Sequence, residues 1–204
     1  MPLRSINNPI SPFDDPFSST GLDAVNLEPF VPPKWYGDRG VYAGGYQGPA
    51  LIGTIEYINI TSKSNSTDFG SLVTGGTRDV ATCSSRTRGI FAGGSTGSVT
   101  NVISYITIAT TSNSTDFGDL LAACGGAGGV SNGTRGVIGG GDSGSRQNVM
   151  QYVAIETLMN STDFGDLNNS VDLQMCCGGE TRGLFAGGTT GSPIDVIDYI
   201  TIAS

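Results

Sequence analysis

A short motif returns through this chain at a nearly fixed stride, and no other feature narrows the possible folds as far. Arg-Gly, two or three mostly apolar residues and a Gly-Gly pair begin at Arg39, Arg88, Arg135 and Arg182. A tyrosine inside an apolar run follows each time, at Tyr57, Tyr105, Tyr152 and Tyr199. Asn-Ser-Thr-Asp-Phe-Gly then appears at Asn65, Asn113 and Asn160. Successive arginines lie 49, 47 and 47 residues apart, and successive tyrosines 48, 47 and 47. Repetition at about 40 to 50 residues means one supersecondary unit copied along the chain, and a unit built of strands is usually a propeller blade. Such an array is normally a scaffold or a binding surface, and less often an enzyme.

Composition agrees with short strands and tight turns. The 204 residues include 32 glycines and only 14% charged residues, without the Gly-X-Y period of collagen. That length suits one domain with a substantial core. The formal charge of −8, with Lys34 and Lys63 the only lysines, argues against nucleic acid and against docking on anionic membrane surfaces. There is no histidine, so Ser-His-Asp and Cys-His catalysis and histidine-based metal sites are excluded. No apolar run is long enough to cross a bilayer as a helix, and residues 1–5 lack the charged and apolar regions of a secretory signal. Cys83, Cys124, Cys176 and Cys177 match no zinc spacing and read as small apolar core residues kept reduced.

The third unit shows how each copy parses. Residues 122–131 are expected to form an inner strand, Asn132-Gly133 a hairpin turn with both residues at positive φ, and residues 135–140 a second strand. Residues 148–155 alternate as a third strand. Asn160 to Gly165 is expected to make a turn with an aromatic plug, followed by a short outer strand. Residues 1–17 differ, because Asn8-Pro9, Ser11-Pro12 and Asp15-Pro16 bias the chain to extended structure without any period. They read as an arm that orders against a partner through Leu3, Arg4, Ile6, Ile10, Phe13 and Phe17.

The glycine pairs (Gly44-Gly45, Gly93-Gly94, Gly140-Gly141, Gly187-Gly188) and the downstream tyrosines resemble the kelch repeat across about residues 37–204. Phe69, Phe117 and Phe164 stand where kelch blades carry tryptophan. The resemblance implies an all-β, four-bladed kelch-like β-propeller with an extended N-terminal arm. Its units are about 37–83, 84–130, 131–177 and 178–204, the last closed by residues 18–36. The closing strand is suggested by Ser18 to Asp23, a degenerate copy of the Asn-Ser-Thr-Asp-Phe-Gly segment.

Several residues invite a functional reading, each beside a structural one. Arg39, Arg88, Arg135 and Arg182 would lie on one face around a ring axis and could hold an anionic ligand or glycan carboxylate. Alternatively each binds carbonyls or an aspartate of a neighbouring blade. Trp35 and Tyr36 offer a sugar or partner contact, or a wedge sealing the ring. Asp68, Asp116 and Asp163, with Asp119 and Asp166 nearby, supply oxygens for calcium, but their spacing fits no dense ligand loop and no metal is expected. The Asn-Ser-Thr sequons read as turn chemistry rather than glycosylation sites. The Gly125 to Gly129 stretch lacks the Gly-Lys-Ser/Thr of a phosphate loop.

The repeats and the proline-punctuated arm are also similar to structural proteins of tailed-phage particles, especially marine phages. That resemblance implies a virion component, made in the host cytoplasm and present in multiple copies. It would be anchored to other virion proteins by residues 1–17, with the propeller serving assembly or contact with a host glycan or protein. The alternatives are a carbohydrate- or protein-binding propeller unconnected to a virion, and an acid-base hydrolase or lyase. Four similar units leave the last without a singular carboxylate pair. No catalytic residue, cofactor or nucleic-acid partner is expected.

Overall fold

The computed structural model describes residues 38–202, which are all-β, with no helix among the described residues. Four antiparallel sheets follow one another along the chain. The first holds β1 (Arg39–Gln47), β2 (Ala50–Asn59) and β3 (Thr67–Ser71). The second holds β4 (Ala81–Ser84), β5 (Arg88–Ala92), β6 (Val102–Thr107) and β7 (Thr115–Asp119). The third holds β8 (Gly128–Ser131), β9 (Arg135–Gly139), β10 (Val149–Ala154) and β11 (Thr162–Asp166). The fourth holds β12 (Met175–Gly178), β13 (Arg182–Ala186) and β14 (Ile197–Thr201). Within every sheet the strands pair in chain order, so each repeat is a local meander without crossovers.

The core consists of three separate clusters, each between consecutive sheets. Ile55, Phe69 and Leu72 meet Phe91 and Ile106 between the first and second. Ile90, Ile103 and Phe117 meet Ile138, Val153 and Ile155 between the second and third. Val137, Met150 and Leu167 meet Phe185, Ile200 and Ile202 between the third and fourth. Strand alternation produces this arrangement. On β9, Ile138 belongs to the cluster shared with the second sheet, and Val137 to the one shared with the fourth. A side chain on Gly136 would meet the Cys83 thiol of the second sheet, whereas one on Gly139 would meet Phe185 of the fourth. Every interior sheet is thus apolar on both faces, and the small glycines admit the side chains of its neighbours.

The glycine pair has a specific cause. Gly140 and Gly141 adopt φ of 71° and 98°, and a Cβ on Gly140 would lie 2.5 Å from the Val171 carbonyl. The Gly141 N–H donates to that same carbonyl at 2.8 Å. The pair therefore ends β9 by turning it against the segment that leads to the next repeat.

Three local expectations are corrected. Thr-Asp-Phe-Gly is part of the outer strand itself, not a turn before it. Its phenylalanine is the extra residue of a β-bulge: Ile103 pairs with Gly118 while Ser104 pairs with Asp116, which leaves Phe117 unpaired. The same shift singles out Phe69 and Phe164. A bulge re-aims a side chain, and here it turns each phenylalanine edge-on to its tyrosine. The inner strand of the third unit is also shorter than residues 122–131, because Gly125 and Gly126 bond to loop carbonyls of Asp142 and Asp79 instead of a partner strand. In the following hairpin only Gly133 has positive φ. Asn132 acts through its side chain, whose Oδ1 accepts the N–H groups of Thr134 and Arg135 at 3.1 and 2.9 Å.

Candidate functional site

The first three repeats build the same three-part stack, and the fourth keeps its arginine and tyrosine. The guanidinium groups of Arg39, Arg88 and Arg135 lie 4.5, 4.6 and 4.6 Å from the ring centres of Tyr57, Tyr105 and Tyr152. Those rings meet Phe69, Phe117 and Phe164 edge-to-face, with centroids 6.0, 6.0 and 6.1 Å apart. Register places the partners together. Arg88 pairs with Thr107 and Ile90 with Tyr105, so arginine and tyrosine are diagonal neighbours on one face of the sheet. A cation over an aromatic face, itself held by an aromatic edge, is favourable by about 0.5–1 kcal/mol where exposed and by more once desolvated.

The stack points at the next sheet. Arg39 donates through one terminal nitrogen to the Ile108 carbonyl at 2.8 Å, Arg88 to Ile155 at 3.1 Å and Arg135 to Ile202 at 2.9 Å. These arginines therefore bind carbonyls of the neighbouring sheet, the structural one of their two readings. Arg182 lies 5.0 Å from the Tyr199 ring centre, is exposed, and donates to no such carbonyl among the described residues. Arg88 also approaches Glu156, at 3.6 Å. That carboxylate accepts hydrogen bonds from Ser85 and Thr87, and these, helped by the Arg88 charge, hold its pKa below the ordinary glutamate value.

A second repeated contact joins the outer strands, and the sequence reading missed it. The Oδ1 of Asn113 accepts the Ser71 N–H at 3.0 Å, and Ser114 Oγ accepts the Val73 N–H at 2.8 Å. One repeat later, Asn160 takes the Asp119 N–H at 3.0 Å and Ser161 takes the Leu121 N–H at 3.0 Å. Ser114 and Ser161 are buried. The Asn-Ser of the second and third sequons thus fastens its strand to the backbone of the preceding sheet. The available signal was the recurrence of Asn and Ser together at every copy, where a plain turn would tolerate many polar residues.

The remaining chemistry is sparse. Burial pushes the thiol pKa of Cys83 up to about 12 and those of Cys124 and Cys176 up to about 11, so all three stay protonated near neutrality. Among the described residues no group of three or more acidic or cysteine side chains is placed to hold a metal ion. Asp68, Asp116 and Asp163 stand on separate outer strands. A shallow cleft of about 360 Å³ on the first sheet is lined by Tyr42, Gly44, Gln47, Ile52, Thr54 and Glu56. Leu3, Arg4, Ile6, Ile10, Phe13, Phe17, Trp35, Tyr36 and the closing segment 18–36 lie outside the described residues.

The two ends of the series are the places where repeat chemistry is exposed. On the fourth sheet Met175 is 80% exposed, Ile197 67% and Tyr199 63%. On the first, Tyr42 and Ile60 are also exposed. No family model matches the chain, and no curated protein matches it.

Proposed function

We propose that the chain is a structural protein of a tailed-phage virion, an appendage or decoration whose four sheets are the blades of a kelch-like propeller. Residues 1–17 attach it to other virion proteins, and the repeat body serves assembly. The observation that carries this reading is the use of the repeated residues. Arginine, tyrosine, phenylalanine, asparagine and serine are spent on joining one sheet to the next, which is the chemistry of a rigid building block. An enzymatic role is not proposed, because the chain has no histidine and its four similar units offer no singular carboxylate pair.

The test is gold-labelled antibody against residues 38–202, imaged on tailed particles purified from the lysate in which the protein is made. Label at a defined place on the particle, lost when residues 1–17 are deleted, is the expected result. Unlabelled particles beside free protein whose epitope is accessible would overturn the proposal.

A further inference from the structure

We infer that the exposed face of the fourth sheet docks, head to tail, onto the exposed face of the first sheet of a second copy of this chain. This contact rests neither on the virion reading nor on closure of a ring within one chain, since the blades would meet between copies. It extends a contact that the molecule already makes three times.

Each internal contact has a donor and an acceptor side. The donor sheet presents its arginine, and the acceptor sheet presents the carbonyl of an isoleucine three residues beyond its tyrosine: Ile108, Ile155 and Ile202. Ile60 is the corresponding residue after Tyr57. Among the described residues three donors and three acceptors are matched, which leaves Arg182 at one end and the Ile60 carbonyl at the other.

A knob and a hole accompany the charge. Cys83 fits over Gly136, where a Cβ would lie 2.4 Å from the thiol sulfur, and Val130 fits over Gly183 at 2.6 Å. By register, Cys177 is the next knob and Gly40 the next hole. Cys177 is exposed, and the nearest atoms to a Cβ on Gly40 belong to Ile58 and Ile60 of its own sheet.

The apolar surround is present too. Leu184, Ile197 and Tyr199 are 37%, 67% and 63% exposed, whereas Val137 and Met150, which correspond to the first two, are buried. Tyr42 occupies on the first sheet the position of buried Phe91, Ile138 and Phe185. Among the described residues both faces are exposed at once, and no core cluster there joins the first sheet to the fourth. Because the faces differ, the contact is heterologous and adds copies until a ring closes.

The geometry supplies its own probe. A Cβ on Gly136 lies 3.5 Å from that of Cys83, within the range of a disulfide. Gly40→Cys in the full chain is therefore expected to crosslink to native Cys177 on mild air oxidation. The result should be reducible dimers and higher species on a non-reducing gel, absent when Cys177→Ser is added. A disulfide formed within one chain, or none, would overturn the inference. Light scattering on unmodified protein supplies a second test. The native chain should associate, Gly40→Leu and Leu184→Glu should each be monomeric, and their equimolar mixture should stop at a dimer. A native chain that stays monomeric as concentration rises would overturn the proposal.

Discussion

The third and fourth sheets carry the same pattern in different surroundings. Val137 is fully buried while Leu184, one repeat later, is 37% exposed, and Met150 at 6% corresponds to Ile197 at 67%. The first sheet shows the difference from the other side, where exposed Tyr42 matches buried Phe185. A repeat position therefore has no fixed burial of its own. It acquires one when another sheet lies against it, as expected for a quasi-one-dimensional array held by nearest-neighbour contacts.

Paired substitutions break this comparison most directly, each set of effects being read from urea denaturation of dilute protein. Phe185→Ala empties a site enclosed by Gly128 and Gly139 and is expected to destabilise by about 3–5 kcal/mol. Tyr42→Ala, at the equivalent exposed position, should stay within about 0.5 kcal/mol. Equal effects would show that the two faces are equally covered.

Gly140→Ala comes next. It combines φ of 71° with a methyl placed 2.5 Å from the Val171 carbonyl, whereas Gly187→Ala has φ of 65° but its nearest neighbour is the Ile194 carbonyl at 3.6 Å. Gly187→Ala should show only the left-handed backbone cost, about 1 kcal/mol, and Gly140→Ala a clearly larger loss of midpoint. Arg135→Met removes both the Tyr152 contact and the hydrogen bond to Ile202 and should cost about 1.5–2 kcal/mol. Arg182→Met, which removes only its exposed contact with Tyr199, should cost about 0.5–1 kcal/mol in the monomer. Ser161→Ala deprives the Leu121 N–H of one acceptor and should cost about 1 kcal/mol, against little for exposed Ser66→Ala.

The smallest effect concerns acidity. The folded-state pKa of Glu156 is lowered by its bonds to Ser85 and Thr87 and by the Arg88 charge. Its contribution is therefore present above the ordinary glutamate value and fades as pH falls through the lower folded value. Thermal melts of the native chain and Glu156→Gln should converge slightly under acid, and a gap that widens on acidification would contradict that sign.

Much of the local structure was legible in the residues. Arg-Gly with alternating apolar residues located β5, β9 and β13, and the alternation over residues 148–155 located β10. These features depend on backbone conformation and on neighbours a few residues away. The bulge at Phe117 was not legible, because Thr-Asp-Phe-Gly has turn-forming composition and becomes a strand only through pairing with β6. The role of Asn160 and Ser161 was hidden for a similar reason: their acceptor atoms meet N–H groups about one repeat earlier in the chain.

The sequence by itself determined the repeat, its period, the strand alternation within each copy and the recurrence of the glycine pair. Only the tertiary structure decided which copies are covered, what each arginine binds and where the repeat chemistry is left exposed. Strand alternation and turn geometry are short-range properties that every copy encodes identically. The match between Arg135 and the Ile202 carbonyl, or the exposure of Arg182, depends on which sheet lies against a face, and near-identical copies carry no local mark of that.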